Sequence, residues 1–561
     1  RTSAEIIRGN FPTFSVAALS HRRTPEAFKP THLNSASKHI YTDGFIRDKQ
    51  AFLIEASATD HSAYPLNLTG HNGIYNIVVY DESSGGLTIL NDRHGARYLY
   101  YYEDDDSFIF APNPKVILAS GLVRNRTLDY RAVISLLSHE YIMSNRSLVE
   151  SIRLLPFASH LELNGSRRKI TRYWNFDSLS TPKLSDKYED LVEQGGRLLK
   201  DAIESYALED AEIIIPLSGG LDSRTIASFL SGKADCRAIH IDYGFEKKLA
   251  RKVAAKLNLD LEISPRRAYQ LYRVIDPFII CAIHSVHQFW VYPHLQNKIN
   301  RGFGTLIVDG YLMNEVIGGL STLGAGGYSD MNRRFPPLNK VFDFVFGPKI
   351  RDVYFTDHDD QIAEIIAGCP SDRDYDKYLY FTMLNYGRRF TLLFSVIHQY
   401  LASVGLPVLD YRLLDFCLRV PFEVKVSSRL YRDMVASAFP EIGKIPWSRN
   451  RLPLTSPKDR HFICKYLDKL NMAKYYLSRL TQGRIETLPR HNKDRNFRKI
   501  KDCRDYFMYI VFDDRTFDKG YVSKSGLEKI VQLTDTGRNY FEILEKVAII
   551  ELVSRELDLT S

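Results

Sequence analysis

The chain has 561 residues, enough for more than one domain and a large core. Its composition, 44% hydrophobic and 25% charged, argues against disorder. The net charge of +8, from 75 basic and 67 acidic residues, is too balanced to favour a nucleic-acid partner, though it suits an anionic substrate.

Residues 1 to about 176 read as mostly β. Short strand-like runs are expected at Ala51–Glu55, Ile74–Tyr80, Leu87–Leu90, Tyr98–Tyr102 and Phe108–Phe110, with turn clusters such as Asp81–Gly86 and Glu103–Asp106 between them. Helices are expected near Pro114–Ser120 and Tyr130–Glu140, which makes this a layered α+β domain. The polar stretch 177–186 reads as a linker, and a second domain runs over 187–561. Its first helix, Tyr188–Leu208, keeps Leu191, Val192, Leu198, Leu199 and Ile203 on one face.

Strands and helices then alternate: a β-branched run at Ile213–Ile215, strands at Arg237–Asp242, Leu261–Ser264 and Thr305–Val308, and a helix at Glu246–Leu257. That pattern predicts parallel βαβ units with ligands at the strand C-termini. Beyond about residue 350 the chain reads as helical, ending in an amphipathic helix at Glu542–Leu557. The basic run from Arg490 to Arg504 is mixed with acids and reads as a solvated face. No uninterrupted apolar run reaches the roughly 18 residues of a membrane span, and no leader peptide is expected. The six cysteines form no C-x-x-C pair, so a zinc site is not expected, and their scatter suggests a reduced, cytoplasmic setting.

The stretch that carries chemistry is Ile213-Ile214-Ile215-Pro216-Leu217-Ser218-Gly219-Gly220-Leu221-Asp222-Ser223. A strand, a glycine turn and a helix form an anion cradle: glycines let backbone N–H groups approach a phosphate, and the helix N-terminus adds positive dipole. Ser218 and Ser223 add hydroxyls. A carboxylate in an anion site calls for a cation, so Asp222 points to Mg²⁺ held against pyrophosphate. The Walker spacing is absent.

Ser218-Gly219-Gly220-Leu221-Asp222-Ser223 resembles the pyrophosphate loop of the N-type ATP pyrophosphatases. Asn72–Asp81, Asn91–Tyr101 and Phe110–Lys115 resemble scaffold motifs of the asparagine synthetase family, whose relatives include β-lactam synthetases and lasso-peptide cyclases. Tyr98 stands where that family usually has proline. Asp309–Gly319 resembles its second site motif, with Asn314 at the position of a metal-binding acid and Tyr311 where asparagine synthetases carry Glu and β-lactam synthetases Tyr. Ser403–Asp410 resembles the E-x-R-x-P-F-L-D segment, with Ser403 and Gly405 in place of Glu and Arg. Arg449-Asn450-Arg451 resembles the closing R-x-K.

The resemblance implies two domains: a glutaminase-like layered β domain without its cysteine, and a parallel-sheet ATP-pyrophosphatase domain. It implies ATP and Mg²⁺ on Leu217, Ser218, Gly219, Gly220, Asp222 and Ser223, with Ile239, Asp309 and Gly310 near the nucleoside. Asp222 and Asn314 are the implied metal ligands, Tyr311 and Arg451 the catalytic residues. The activity implied is ATP-dependent, AMP-forming amide synthesis from a small-molecule or peptide carboxylate and an amine or ammonia. No glutamine hydrolysis is expected, because residues 1–235 contain no cysteine. A cyclase or peptide-tailoring enzyme and a non-catalytic ATP-binding scaffold stay open as alternatives; so does a homodimer.

Overall fold

A computed structural model describes residues 4–560 other than 12–13, 22–23, 36, 59–65, 166, 243, 266–275, 285–294, 296–298, 300–303, 320–341, 457–496, 498–500 and 537–539. The N-terminal part is antiparallel. Strands β1 (Ala4–Asn10) and β2 (Ser15–His21) form a hairpin. A six-stranded sheet is built from β3 (Thr31–Ser35), β4 (Lys38–Ile46), β5 (Gly73–Asp81), β6 (Gly86–Asn91), β10 (Ser159–Asn164) and β11 (Arg167–Arg172) in the order β11-β10-β6-β5-β4-β3. A smaller sheet holds β7 (Tyr100–Glu103) between β8 (Phe108–Ala111) and β9 (Ile152–Leu154).

One expected strand is a helix. Ala51–Glu55 lies within α1 (Lys49–Ala58). The side chain of Asp48 accepts from the Ala51 N–H at 3.0 Å, and Phe52 and Ala56, four residues apart, are the buried face. A five-residue apolar run does not separate the two periods; the acceptor just ahead of it is the start signal. Helices α2 (Pro114–Ala119) and α3 (Tyr130–His139) form as expected, capped by Asn113 and Asp129.

The second part follows α4 (Tyr188–Glu204). Its sheet is fully parallel, in the order β14-β13-β12-β15-β16, where β12 is Glu212–Pro216, β13 Cys236–Ile241, β14 Asp260–Ser264, β15 Thr305–Val308 and β16 Ser403–Gly405. Helices α5 (Leu221–Leu230) and α6 (Gly244–Leu257) cross between the first three strands. The chain adds strands on one side of β12, then returns to add β15 and β16 on the other. The crevice above the C-terminal ends of β12 and β15 is therefore the topological switch point, where ligands bind in open α/β sheets. Beyond residue 350 the described residues are mainly helical, as expected, and include a π-helix at Met383–Thr391. Among the described residues no helix is long and apolar enough to cross a membrane. Of the Arg490–Arg504 basic run, most lies outside the described residues.

Candidate active site

Ile213, Ile214 and Ile215 are fully buried, and the strand stops at Pro216. The Leu217 N–H donates to the Ile239 carbonyl at 2.9 Å, and the His240 ring Nδ1 lies 2.8 Å from the Leu217 carbonyl. The turn then closes on itself. The Ser218 N–H donates to the Ser223 hydroxyl at 2.9 Å, the two hydroxyls are 3.0 Å apart, and the Gly220 N–H donates to Ser218 Oγ at 3.0 Å. A Cβ on Gly219 would sit 3.0 Å from Leu249 and 3.1 Å from Ser448, so glycine is what allows the 445–448 segment to lie against the turn. Gly220 caps α5 without a side-chain acceptor. The first N–H groups of that helix thus face the crevice with the positive end of its dipole, an arrangement suited to an anion.

Arg224 locks this geometry. It is completely buried, and it donates to the carbonyls of Gly220 at 3.0 Å, Gly219 at 3.1 Å, Ile445 at 2.7 Å and Pro446 at 2.7 Å. One guanidinium ties the turn to the segment that carries Trp447, Ser448 and Arg449.

Asp222 occupies the first turn of α5. Its Oδ1 is buried with no hydrogen-bond partner among the described residues. Burial, and then the charge of Glu315, push its carboxyl up to about 7, while the Tyr431 hydroxyl and the Arg449 charge work in the opposite direction. A buried acid at the end of a phosphate cradle, with a second acid close enough for its charge to be felt, fits a divalent cation bound together with pyrophosphate, because Mg²⁺ uses one or two carboxylates plus phosphate oxygens. Gly310 is pressed onto this residue: a Cβ there would come within 2.8 Å of Asp222 Cβ. Asn314, half-buried in the Met313–Val316 turn of helix, points its Oδ1 toward Gly318, where an added Cβ would lie 2.9 Å from it. The acid that Asp222 senses is Glu315.

At the end of β15, the Asp309 N–H donates to the Gly405 carbonyl at 2.9 Å. Its Oδ2 lies 3.1 Å from His398 Nδ1 and accepts from the Ser395 hydroxyl at 3.4 Å. Tyr311 stacks on Phe394, centroids 4.7 Å apart. Burial and the neighbouring Asp309 charge push its phenol well above its ordinary value, the wrong direction for a base at neutral pH. Gly405 leaves no room for a longer side chain, since a Cβ there would lie 2.7 Å from the Tyr206 ring. Arg451 is exposed, has positive φ (59°) and lies over the Phe245 ring at 4.9 Å; the cation sensed by Asp222 is Arg449.

The structure therefore gathers Leu217, Ser218, Gly219, Gly220, Asp222, Ser223, Asp309 and Gly310 around the switch point, with Ile239 contributing through its backbone. Sequence reasoning gave no place to Arg224, His240, His398 and Tyr431, and Glu315 only as a substitute for the charge that Asn314 lacks. Arg224 adjoins recognised motif residues and was legible there. His398 meets Asp309 across 89 residues, and no local pattern signals that. A cavity of about 230 Å³ at the junction of the two parts, lined by Asn145, Phe157, Arg172, Tyr380 and Arg388 among others, contains none of these site residues.

Residues 65–174 match the family model of the glutamine amidotransferase domain, and residues 195–446 that of asparagine synthase. A Methanocaldococcus jannaschii protein provisionally named glutamine-hydrolyzing asparagine synthetase 2 is 26% identical over 278 residues, 48% of this chain and 54% of its own length. Glutamine-hydrolyzing asparagine synthetase 3 of Bacillus subtilis is 28% identical over 196 residues, 34% of this chain and 31% of its own. A Gibberella zeae protein named amidase chry2 is 24% identical over 279 residues, 43% of this chain and 40% of its own. The chain thus spans about half the length of the first of these relatives and less of the other two. An antiparallel amidotransferase-type part followed by a parallel asparagine-synthase sheet, each matched by its own family model, makes this chain a member of the asparagine synthetase family.

Proposed function

We propose that the chain is an ATP-dependent, AMP-forming ligase that joins a carboxylate to an amine or ammonia, with the two domains meeting between residues 176 and 187. The observation that carries this reading is the placement of Asp222, with its unpartnered buried Oδ1 and within reach of the Glu315 charge, beside the start of α5, which has no side-chain cap, at the switch point. The α5 N-terminus and the Ser218–Ser223 turn bind the β- and γ-phosphates. Asp222 and Glu315 would hold Mg²⁺, which offsets charge on pyrophosphate. A substrate carboxylate attacks the α-phosphorus, the bond to the β-phosphate oxygen breaks, and pyrophosphate leaves. The acyl-adenylate is then attacked by nitrogen, and AMP departs. Arg449 supports the leaving charge as a fixed cation. The nitrogen donor is ammonia or an amine rather than glutamine, in keeping with a cysteine-free stretch over residues 1–235.

The test is ATP turnover with Mg²⁺, scoring AMP and pyrophosphate against ADP and phosphate, with aspartate and ammonium supplied and then a panel of other carboxylates. AMP and pyrophosphate are expected, and Asp222→Ala is expected to abolish them in a folded chain. ADP as product, or an unaffected Asp222→Ala variant, overturns the reading. Equal rates with glutamine or ammonium would refute the donor assignment.

A second reading, a tailoring ligase acting on a carboxylate other than aspartate, is favoured by one feature. Gly405 and Ser403 replace the expected Arg and Glu on β16, and the Tyr206 ring fills the space beside Gly405. Turnover restricted to other carboxylates would establish it.

A further inference from the structure

Asp309 is a buried carboxylate, 4% exposed, at the mouth of the switch-point crevice. Its next residue, Gly310, touches Asp222, so the carboxylate stands one residue from the phosphate cradle. One side of the carboxylate is already committed: Oδ2 takes His398 Nδ1 at 3.1 Å and the Ser395 hydroxyl at 3.4 Å. His398 is 1% exposed, and its Nε2 is buried with no partner among the described residues. A second proton on that ring would be an unpaired buried donor. Nδ1, which faces a carboxylate oxygen, is the ring nitrogen placed to donate.

A carboxylate oxygen in a buried site needs a donor or a cation as partner. Ser395 and His398 secure Oδ2 from one helix, Leu393–Gln399, which also carries Phe394 against Tyr311. No hydrogen bond to Oδ1 is formed among the described residues. We propose that Asp309 is the receptor for the attacking amine, bound as its ammonium ion, and that His398 is the positioning residue that holds Asp309 Oδ1 toward it. The proposal rests on the reading of the site as an amide-forming ligase, and it names the class of nucleophile the site accepts: a primary ammonium with N–H donors, ammonium itself being the smallest.

The experiment uses the full chain and ammonium chloride as the probe, read by thermal unfolding against sodium chloride of equal concentration, with tetramethylammonium chloride as a cation that cannot donate. Ammonium is expected to stabilise the wild-type chain saturably, and tetramethylammonium is not. Asp309→Asn is expected to abolish the effect. His398→Leu should weaken it about tenfold, the size expected for one charge-assisted hydrogen bond. His398→Asn, whose amide can still donate to Asp309, should recover most of it. In ¹⁵N-histidine-labelled protein, the His398 ring signals are expected to shift in Asp309→Asn, a change that a merely space-filling histidine would not show. Binding of MgATP by calorimetry is measured in parallel. Its absence in the wild-type chain would defeat the ligase reading alone, since the ammonium arm is read without nucleotide. Ammonium stabilisation that is absent from the wild type, or equal in Asp309→Asn, overturns the amine receptor. Loss of MgATP affinity in Asp309→Asn with the ammonium effect intact overturns it too, and assigns the carboxylate to the ribose.

Discussion

At Asp222, ligand binding and stability pull in opposite directions. Its carboxyl is pushed up to about 7 by burial and by Glu315, so the folded chain binds this proton more tightly than the unfolded chain does. The resulting stabilisation is present in full below the unfolded value near 4 and is lost as pH rises through 7. Asp222→Asn is therefore expected to stabilise the protein at pH 8 in the absence of Mg²⁺ and nucleotide by on the order of 4 kcal/mol, with the gain vanishing near pH 4, while ATP cleavage is lost. Melting temperatures of both proteins across that range check it; a pH-independent difference would mean that the carboxyl does not titrate there. Arg224 acts on the same turn by geometry instead of charge. Lysine cannot reach four carbonyls from one planar head, so Arg224→Lys should cost about 2–4 kcal/mol and raise the KM for ATP. An unchanged KM would free the turn from any dependence on this clamp.

At the scale of elements, strands were legible in the sequence wherever β-branched residues run together, as in Ile213–Ile215. They were not where three residues including a glycine suffice, as in Ser403–Gly405, which is held by pairing with β15 rather than by its own propensity. The Met383–Thr391 π-helix had no signature either, because its widened turn is enforced by tertiary contacts. Arg388 donates to the carbonyls of Leu155 at 2.7 Å and Gly95 at 3.3 Å, and to Asn145 Oδ1 at 3.1 Å. Arg389 donates to the carbonyls of Ile142 at 2.8 Å and Arg146 at 2.7 Å. Tyr98, in the place of the family proline, donates from its hydroxyl to the Arg388 carbonyl. Both arginines thus read the backbone of the amidotransferase-type part, and the helix that follows carries Phe394, Ser395 and His398 into the site. Arg388→Leu strands buried acceptors and is expected to lower stability by about 2–4 kcal/mol, as measured by denaturant unfolding; a midpoint equal to that of the wild type would show the clamp to be dispensable.

At the scale of the molecule, the C-terminal helices fold back onto the N-terminal part. Lys501–Val511, Lys524–Asp535 and Phe541–Leu557 share one hydrophobic core with β7, β9, α2 and α3, in which Val133, Leu136 and Leu137 are fully buried. Polar contacts reinforce the closure: Lys546 Nζ donates to the Leu137 carbonyl at 2.8 Å, Lys115 pairs with Glu556, and the Leu128 N–H donates to the Thr560 carbonyl at 2.9 Å. The sequence showed the last helix but not its partner, because an apolar face announces burial without naming what covers it. A fragment of residues 1–186 would leave that face of α3 without its cover, and apolar patches of this kind bind hydrophobic dyes and drive association. Expressed alone, the fragment is expected to bind such a dye and to unfold without a cooperative transition, and residues 187–561 supplied in trans are expected to suppress the dye signal. A fragment that melts cooperatively and ignores the dye would mean that the antiparallel layers hold their own core, leaving the C-terminal helices as an addition to a domain already complete.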